Sequence, residues 1–211
     1  EDGGNYYLFA SNHNEGSSGG LVRYNFGNSL FNTPTSTFLG NISGAFNTSY
    51  GKQGIQIVKD NNNWYGILVG GYPPDGVGSS PRINLIDFGT NIANNNPIAV
   101  NWGNLGNMLQ PLELYLFNEN GIYHAFTVNA ENNTITRFDF NNGINNIPDA
   151  VNLGNIGALN YPTGLHVIKD QSNYKMYITN GYKFQNPVNS SISRLDFGSS
   201  LLNTPIGTNF G

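Results

Sequence analysis

The sequence predicts an all-β protein, a β-propeller of four-stranded antiparallel blades about 57 residues long. One phrase occurs four times, and its shared phenylalanine stands at positions 26, 88, 140 and 197, in steps of 62, 52 and 57 residues. A proline follows each phenylalanine, at Pro34, Pro97, Pro148 and Pro205, and a glycine closes each unit, at Gly40, Gly103, Gly154 and Gly211. Three features kept in register four times, with a period near 50 residues, are typical of propellers and solenoids.

Each unit is interpreted as four short strands, A to D, with apolar and polar residues alternating along them. Strand A is predicted at 53–59, 112–118 and 163–169, and strand B at 6–11, 64–70, 122–129 and 174–180. Strand C carries the repeated phenylalanine, and strand D runs from just after the proline to the closing glycine. Polar turns at 60–63 and 119–121 join A to B, where Asn and Gly tolerate the positive φ of tight hairpins. Four antiparallel strands per repeated unit define a propeller blade.

The predicted blades occupy 1–41, 42–104, 105–155 and 156–211. The first blade begins on a strand B, with no strand A before it, so it is expected to have three strands. A closed propeller completes its ring by pairing strands, because an open edge invites aggregation. The chain is therefore expected to be a segment of a ring of six to eight blades.

Composition narrows the possible partners. Charged residues make up 10% of the chain, against about 25% in ordinary soluble domains. Nine Lys and Arg and a net charge of −4 do not supply the basic surface that nucleic acid requires. No apolar stretch approaches the length of a membrane span. No cofactor and no metal site are predicted, since the three histidines fall in unrelated places.

The residues that recur in strand C are expected to serve the scaffold. A catalytic group is needed once per site, whereas a group repeated in every blade is explained by folding. Arg137/Asp139 and Arg194/Asp196 are two apart and share one face of a strand, where they can pair with each other or with a neighbour. In the first unit Asn25 replaces the aspartate, and in the second Leu85 replaces the arginine.

A ligand site, if present, is expected where the blades differ. The B–C and D–A connections share one face of the disc, and loops on a rigid scaffold concentrate binding residues. Aromatic rings beside polar side chains would suit a glycan. The candidate ligand-binding residues are His13, Tyr50, Tyr72, Asp75, Tyr182, Lys183 and Phe184. The strands nearest the channel add Gln56, Glu113, Tyr115 and His166, which offer few carboxylates for catalysis.

Three stretches carry a resemblance to a known family. The phrase Asp196-Phe197-Gly198 followed by Asn203-Thr204-Pro205, and the segments 151–157 and 164–170, resemble repeats in very long surface proteins of gliding Bacteroidota. These include adhesins exported by the type 9 secretion route. The resemblance implies an exported, cell-surface protein with a role in adhesion or gliding motility. It carries no catalytic or binding residue to this chain, because the shared positions are those that form the blades.

The sequence therefore favours a non-catalytic extracellular propeller module that binds a ligand such as a glycan in adhesion or gliding. Its other expected partners are further segments of the same large protein or other surface proteins. One alternative is a structural spacer or assembly contact. Another is a propeller enzyme that acts on a polysaccharide or a lactone.

Overall fold

The structure confirms the predicted all-β propeller architecture. The computed structural model describes residues 1–12, 19–46, 54–71, 80–181 and 190–211. Its fifteen strands form four antiparallel sheets, and one short 3₁₀ turn lies at Ile42–Gly44. Within these ranges the structure contains no helix with the length and apolar character needed to cross a bilayer.

Each sheet is one blade, and its strands follow each other in chain order. Blade 1 contains β1 (Tyr6–Asn12), β2 (Gly20–Gly27) and β3 (Thr35–Gly40). Blade 2 contains β4 (Gly54–Asp60), β5 (Asn63–Gly70), β6 (Arg82–Gly89) and β7 (Ile98–Gly103). Blade 3 contains β8 (Pro111–Glu119), β9 (Ile122–Asn129), β10 (Thr134–Phe140) and β11 (Asp149–Gly154). Blade 4 contains β12 (Pro162–Asp170), β13 (Asn173–Asn180), β14 (Ser191–Gly198) and β15 (Ile206–Asn209).

The first strands of blades 2, 3 and 4 lie innermost. Strands β4, β8 and β12 pack against one another from blade to blade. Within the described ranges blade 1 has three strands, and its β1 corresponds to strand B of the other blades. The B–C and D–A connections consequently meet at the end of the molecule where these inner strands begin.

Apolar side chains buried between successive blades form the core. Leu21 of blade 1 shares a cluster with Leu68 and Phe88 of blade 2. Two further clusters join blade 2 to blade 3 and blade 3 to blade 4 in the same way. Aromatic rings meet edge to face across these boundaries, as Phe126 and Phe197 do with centroids 5.6 Å apart. Each blade is thus stabilised mainly by the faces of its neighbours.

Asparagine side chains close many of the turns. After strand C, Asn32, Asn94 and Asn203 each donate a hydrogen bond to the carbonyl of the repeated phenylalanine, at 2.8, 3.1 and 2.9 Å. At the end of strand D, the side-chain oxygens of Asn101, Asn152 and Asn209 accept from the N–H of the closing glycine, each at 2.8 Å. That glycine has a φ of 78° at Gly154, a region that L side chains rarely adopt. The turns therefore account for much of the asparagine content.

The connections that lead from strand D into strand A are also closed by asparagine side chains. Asn104 accepts from the N–H of Met108 at 2.8 Å and donates to the Met108 carbonyl at 3.1 Å. Asn155 spans the next connection in the same manner, bonding Leu159 at 2.7 and 3.0 Å. Both loops are fixed by neutral hydrogen bonds just before an inner strand begins.

A buried ionic network ties blade 3 to blade 4. Asp139 lies 2.7 Å from Nδ1 of His124 and accepts from Nε of Arg137 at 3.0 Å. Arg137 also donates to the carbonyl of Leu201 at 2.9 Å, and Glu119 accepts from the N–H of Leu201 at 3.0 Å. The Arg137/Asp139 pair therefore holds the C–D turn of the next blade.

Asp196 has a different local role from Asp139. Its Oδ1 accepts from the N–H of Gly198 at 3.1 Å, as Asp87 does from Gly89 at 2.7 Å. Asn25 accepts from Gly27 at 2.8 Å. An amide oxygen and a carboxylate oxygen both accept this bond, which explains why blade 1 carries asparagine there.

Candidate functional site

The candidate site is the start of β8, the inner strand of blade 3. Pro111 pairs with Asn129 and Leu114 pairs with Thr127, so Leu112 and Glu113 together lie opposite Val128. This bulge is a feature that re-aims side chains and is common near functional sites. Glu113 is half-buried, and burial raises the pKa of its carboxyl above the ordinary value of 4.5.

Glu113 differs from its counterparts in the other inner strands. The pairing of β4 and β12 with their neighbours places Gly54 and Gly164 at the equivalent position. A Cβ on Gly54 would lie 2.3 Å from the backbone nitrogen of Leu114, so the close approach of β4 to β8 requires glycine there. At this position β8 therefore carries a carboxyl, whereas β4 and β12 carry glycine.

Two residues further along, the inner strands place a second set of side chains side by side. Tyr115 and His166 occupy equivalent positions on β8 and β12, and their rings meet edge to face with centroids 4.7 Å apart. Gln56 occupies the same position on β4. The structure thus brings together two of the aligned residues that the sequence placed near the channel.

The acidic side chains of the described residues divide between the two ends of the blades. Glu113 and Glu131 belong to the end where the B–C and D–A connections lie. The A–B turns, by contrast, carry Asp60, Glu119 and Asp170 at the opposite end. In the part of the chain that the structure describes, no three His, Cys, Asp or Glu side chains are grouped as a metal site.

The predicted loop residues cannot be placed relative to Glu113. His13, Tyr50, Tyr72, Asp75, Tyr182, Lys183 and Phe184 lie outside the described residues. The structure thus places the candidates from the inner strands, and the assignment of these seven as ligand-binding residues stays a prediction.

A half-buried carboxyl with a raised pKa can hold a proton closer to neutral pH and deliver it to a leaving group. Glycoside hydrolysis uses such an acid together with a second carboxylate across the scissile bond. The partial burial of Glu113 suits the role of proton donor. The Tyr115 ring, two residues away on the same strand, offers an apolar surface of the kind that packs against a sugar.

Comparison with known proteins gives matches in structure alone. No protein-family profile and no curated protein sequence matches the chain. Among solved structures, a thermostable family-43 glycoside hydrolase is similar with a TM-score of 0.62 and 14% identity over 98% of this chain and 69% of that one. A xylan β-1,4-xylosidase of Bacillus halodurans is similar with a TM-score of 0.58 and 13% identity, covering 98% of this chain and 40% of that one.

A family-43 glycoside hydrolase of Bacillus licheniformis gives a TM-score of 0.53 at 17% identity, covering 93% of this chain. This chain spans 38% of its length, so the match covers a minor part of that protein. At these identities the similarity shows the β-propeller fold.

These neighbours correct two expectations. The sequence favoured a non-catalytic module acting in adhesion or gliding, and it predicted that the chain is not an enzyme. Both expectations are wrong on this comparison, because the three solved structures named above, which share the fold, are glycoside hydrolases. The neighbours support the alternative of a propeller that acts on a polysaccharide better than they support the non-catalytic module.

Proposed function

We propose that this chain is a propeller module of an extracellular enzyme that acts on a polysaccharide, with Glu113 as the proton donor. The observation that carries the proposal is the single occurrence of this half-buried carboxyl at a position where the adjacent inner strands have Gly54 and Gly164. A repeated scaffold needs no side chain there, whereas a catalytic site needs one acid.

Two further observations support the proposal. The three solved structures compared above, which share the fold, are glycoside hydrolases. The likeness of the repeats to those of exported surface proteins supports a location outside the cell, where polysaccharides are met. The chain spans between 38% and 69% of the neighbours' lengths, so other parts of a longer protein can contribute to the site.

The proposed chemistry is hydrolysis of a glycosidic bond. Protonated Glu113 donates its proton to the bridging oxygen, the bond from the anomeric carbon to that oxygen breaks, and water adds to the anomeric carbon. A second carboxylate accepts the proton from water or attacks the anomeric carbon first. Glu131 is the other acidic residue of this end among those described, and the sequence adds Asp75 and Glu15 in the B–C loops.

Replacement of the acid tests the proposal directly. Glu113→Gln keeps the size and polarity of the side chain but cannot donate this proton, so turnover should fall by about 10²–10⁴-fold. Release of reducing ends from a panel of polysaccharides that includes xylan measures it. The matched control is Asp149→Asn, an exposed carboxylate at the opposite end of blade 3, which should leave turnover unchanged.

The pH profile adds a second readout. Activity of the unaltered chain should fall as pH rises through the raised pKa of Glu113, because the acid is then deprotonated. Glu131→Gln, Asp75→Asn and Glu15→Gln, made singly, identify the second carboxylate by the same assay. The proposal is wrong if the unaltered chain cleaves none of the polysaccharides between about pH 4 and 8, or if Glu113→Gln leaves cleavage intact.

A further inference from the structure

Two polar side chains meet at the end of the molecule where the B–C and D–A connections lie. Gln110 comes directly before β8, a short way along the chain from Glu113, and Tyr161 comes directly before β12. The Tyr161 hydroxyl donates a hydrogen bond to Oε1 of Gln110 at 3.2 Å. The Tyr161 ring also packs against the apolar cluster that contains Leu112, the residue before Glu113. The pair therefore joins two four-stranded blades close to the proposed proton donor.

The backbone holds both residues in fixed positions. Each has a left-handed conformation directly before a proline, with a φ of 53° at Gln110 and 47° at Tyr161, which is costly for large side chains. The carbonyl of Gln110 accepts from the N–H of Ala130 at 3.1 Å, and that of Tyr161 accepts from the N–H of Gly181 at 3.0 Å. The Tyr161 N–H donates to Oδ1 of Asn133 at 2.6 Å. The two connections repeat this backbone but not its side chains, so the scaffold explains the first and leaves the second to be explained.

The pair has hydrogen-bonding capacity that the fold does not use. Gln110 uses its side-chain oxygen for Tyr161, and its Nε2 makes no hydrogen bond within the described ranges. The Tyr161 oxygen donates its own proton to Gln110 and keeps lone pairs that can accept. An N–H donor and an oxygen acceptor therefore lie next to each other. This arrangement suits a hydroxyl group that accepts from the first and donates to the second, and sugars carry several such hydroxyls.

The connection over this part of blade 3 is short. Residues 130–133 join strands B and C of blade 3, whereas residues 71–81 join them in blade 2 and residues 181–190 in blade 4. Blade 3 thus has little chain of its own with which to cover the pair. Gln110 and Tyr161 are both only half-buried, so an extended ligand can reach them from solvent.

We propose that Gln110 and Tyr161 bind one sugar unit of the polysaccharide, next to the bond that Glu113 cleaves. One hydroxyl of that unit accepts from Nε2 of Gln110 and donates to the Tyr161 oxygen. Neither side chain carries a charge, so the sugar they select is a neutral one and not a uronate. This inference rests on the proposed function, because it places the sugar beside the proton donor.

Equilibrium binding tests the inference separately from cleavage. The Glu113→Gln chain, which cannot donate the proton, is titrated by calorimetry with hexasaccharides of xylose, mannose, glucose and galacturonic acid. At least one neutral hexasaccharide should bind. In that background Gln110→Ala and Tyr161→Phe should each raise its Kd about three- to tenfold, as expected for one hydrogen bond between neutral groups. Both changes together should raise the Kd by less than the product of the two effects, because Tyr161 holds the Gln110 amide in place.

Two matched variants serve as controls for this experiment. Tyr123→Phe removes a half-buried hydroxyl at the opposite end of blade 3, where it lies 3.5 Å from the carbonyl of Lys59. Gln171→Ala changes an exposed glutamine with a left-handed φ of 56° in the A–B turn of blade 4. Neither control should alter the Kd. Thermal melting of all four variants shows whether a change in Kd comes from lost contacts or from a damaged fold, and Tyr161→Phe keeps the packed ring.

Three results would overturn the inference. The first is that none of the neutral hexasaccharides binds, and the second is that the galacturonic acid hexasaccharide binds more tightly than all of them. The third is a Kd that both Gln110→Ala and Tyr161→Phe leave unchanged. A failure of the proposed function looks different, because the chain would then bind a neutral hexasaccharide through this pair and cleave no polysaccharide. Cleavage that depends on Glu113, with a Kd indifferent to the pair, would contradict the inference and leave the proposed function standing.

Discussion

At the scale of single residues, hydrogen-bonding capacity matters more than charge. Asp87, Asp196 and Asn25 all accept from the N–H of the glycine two positions later. Asp139, at the same position of the repeat, is used instead by Arg137 and His124. One sequence position therefore serves two structural roles, and Asp139 takes the second one beside Arg137 and His124 of its own blade.

Asp196 allows a sharp test of this view. Asp196→Ala should lower the free energy of unfolding by about 1 kcal/mol, because the N–H of Gly198 loses its acceptor. Asp196→Asn should retain most of the stability, because Asn25 accepts the same bond in blade 1. Chemical denaturation of both variants measures the difference. Equal losses in the two would show that the negative charge is what matters.

Glu113 should make stability depend on pH. The pKa of its carboxyl is raised in the folded chain, so the full stability is present below about pH 4.5, where the carboxyl is protonated. As pH rises through the folded-state pKa, ionisation of this half-buried carboxyl lowers the free energy of unfolding. Glutamine does not ionise and avoids that loss. Glu113→Gln should therefore melt at a higher temperature than the unaltered chain at pH 7, by calorimetry.

At about pH 3.5 the carboxyl is protonated in both the folded and the unfolded chain, and the two proteins should melt together. Asp149→Asn, which removes an exposed carboxylate, serves as the control at both pH values. A lower melting temperature of Glu113→Gln at pH 7 would contradict the assignment of burial as the cause of the raised pKa.

At the scale of elements, the C–D turn joins each blade to the one before it. Leu201 lies on such a turn and is fully buried. Its carbonyl accepts a hydrogen bond from Arg137, and its N–H donates one to Glu119. Its neighbour Leu202 is 51% exposed on the same turn. These two adjacent leucines therefore have the same side chain but differ in burial.

The pair supplies a matched comparison. Leu201→Ala should lower the free energy of unfolding by about 2–5 kcal/mol, because it leaves a cavity between blades 3 and 4. Leu202→Ala should change it by no more than about 0.5 kcal/mol. Urea titration followed by tyrosine and tryptophan fluorescence measures both. Similar losses would show that the turn contributes through its backbone alone.

At the scale of the whole molecule, the fold was accessible from sequence because its signals are local and repeated. Alternating strands, turns and the fourfold phrase predict four-stranded blades without knowledge of any long-range contact. The side-chain contacts between neighbouring blades could not be predicted from the sequence. Nothing in the spacing of Arg137 and Asp139 shows that the arginine reaches Leu201, 64 residues away.

The site was harder to predict for a related reason. Setting repeated residues aside as structural was sound for Asp196, but a count of carboxylates near the channel led to the wrong conclusion that the chain is not catalytic. Glu113 is informative because Gly54 and Gly164 replace it in the neighbouring strands. The predicted inner strands at 53–59, 112–118 and 163–169 already place these three residues at equivalent positions. The structure adds the bulge opposite Val128 and the partial burial of Glu113, which an alternating pattern does not reveal.

The asparagine bonds that close the turns have a consequence for the conditions under which the scaffold persists. Those at Asn32, Asn94, Asn104, Asn155 and Asn203 join neutral groups. Dissolved salt screens charges, so bonds of this kind are largely indifferent to ionic strength. Turns closed by ion pairs weaken in brine, whereas these are closed by amide hydrogen bonds, so their geometry should be the same in fresh and saline water.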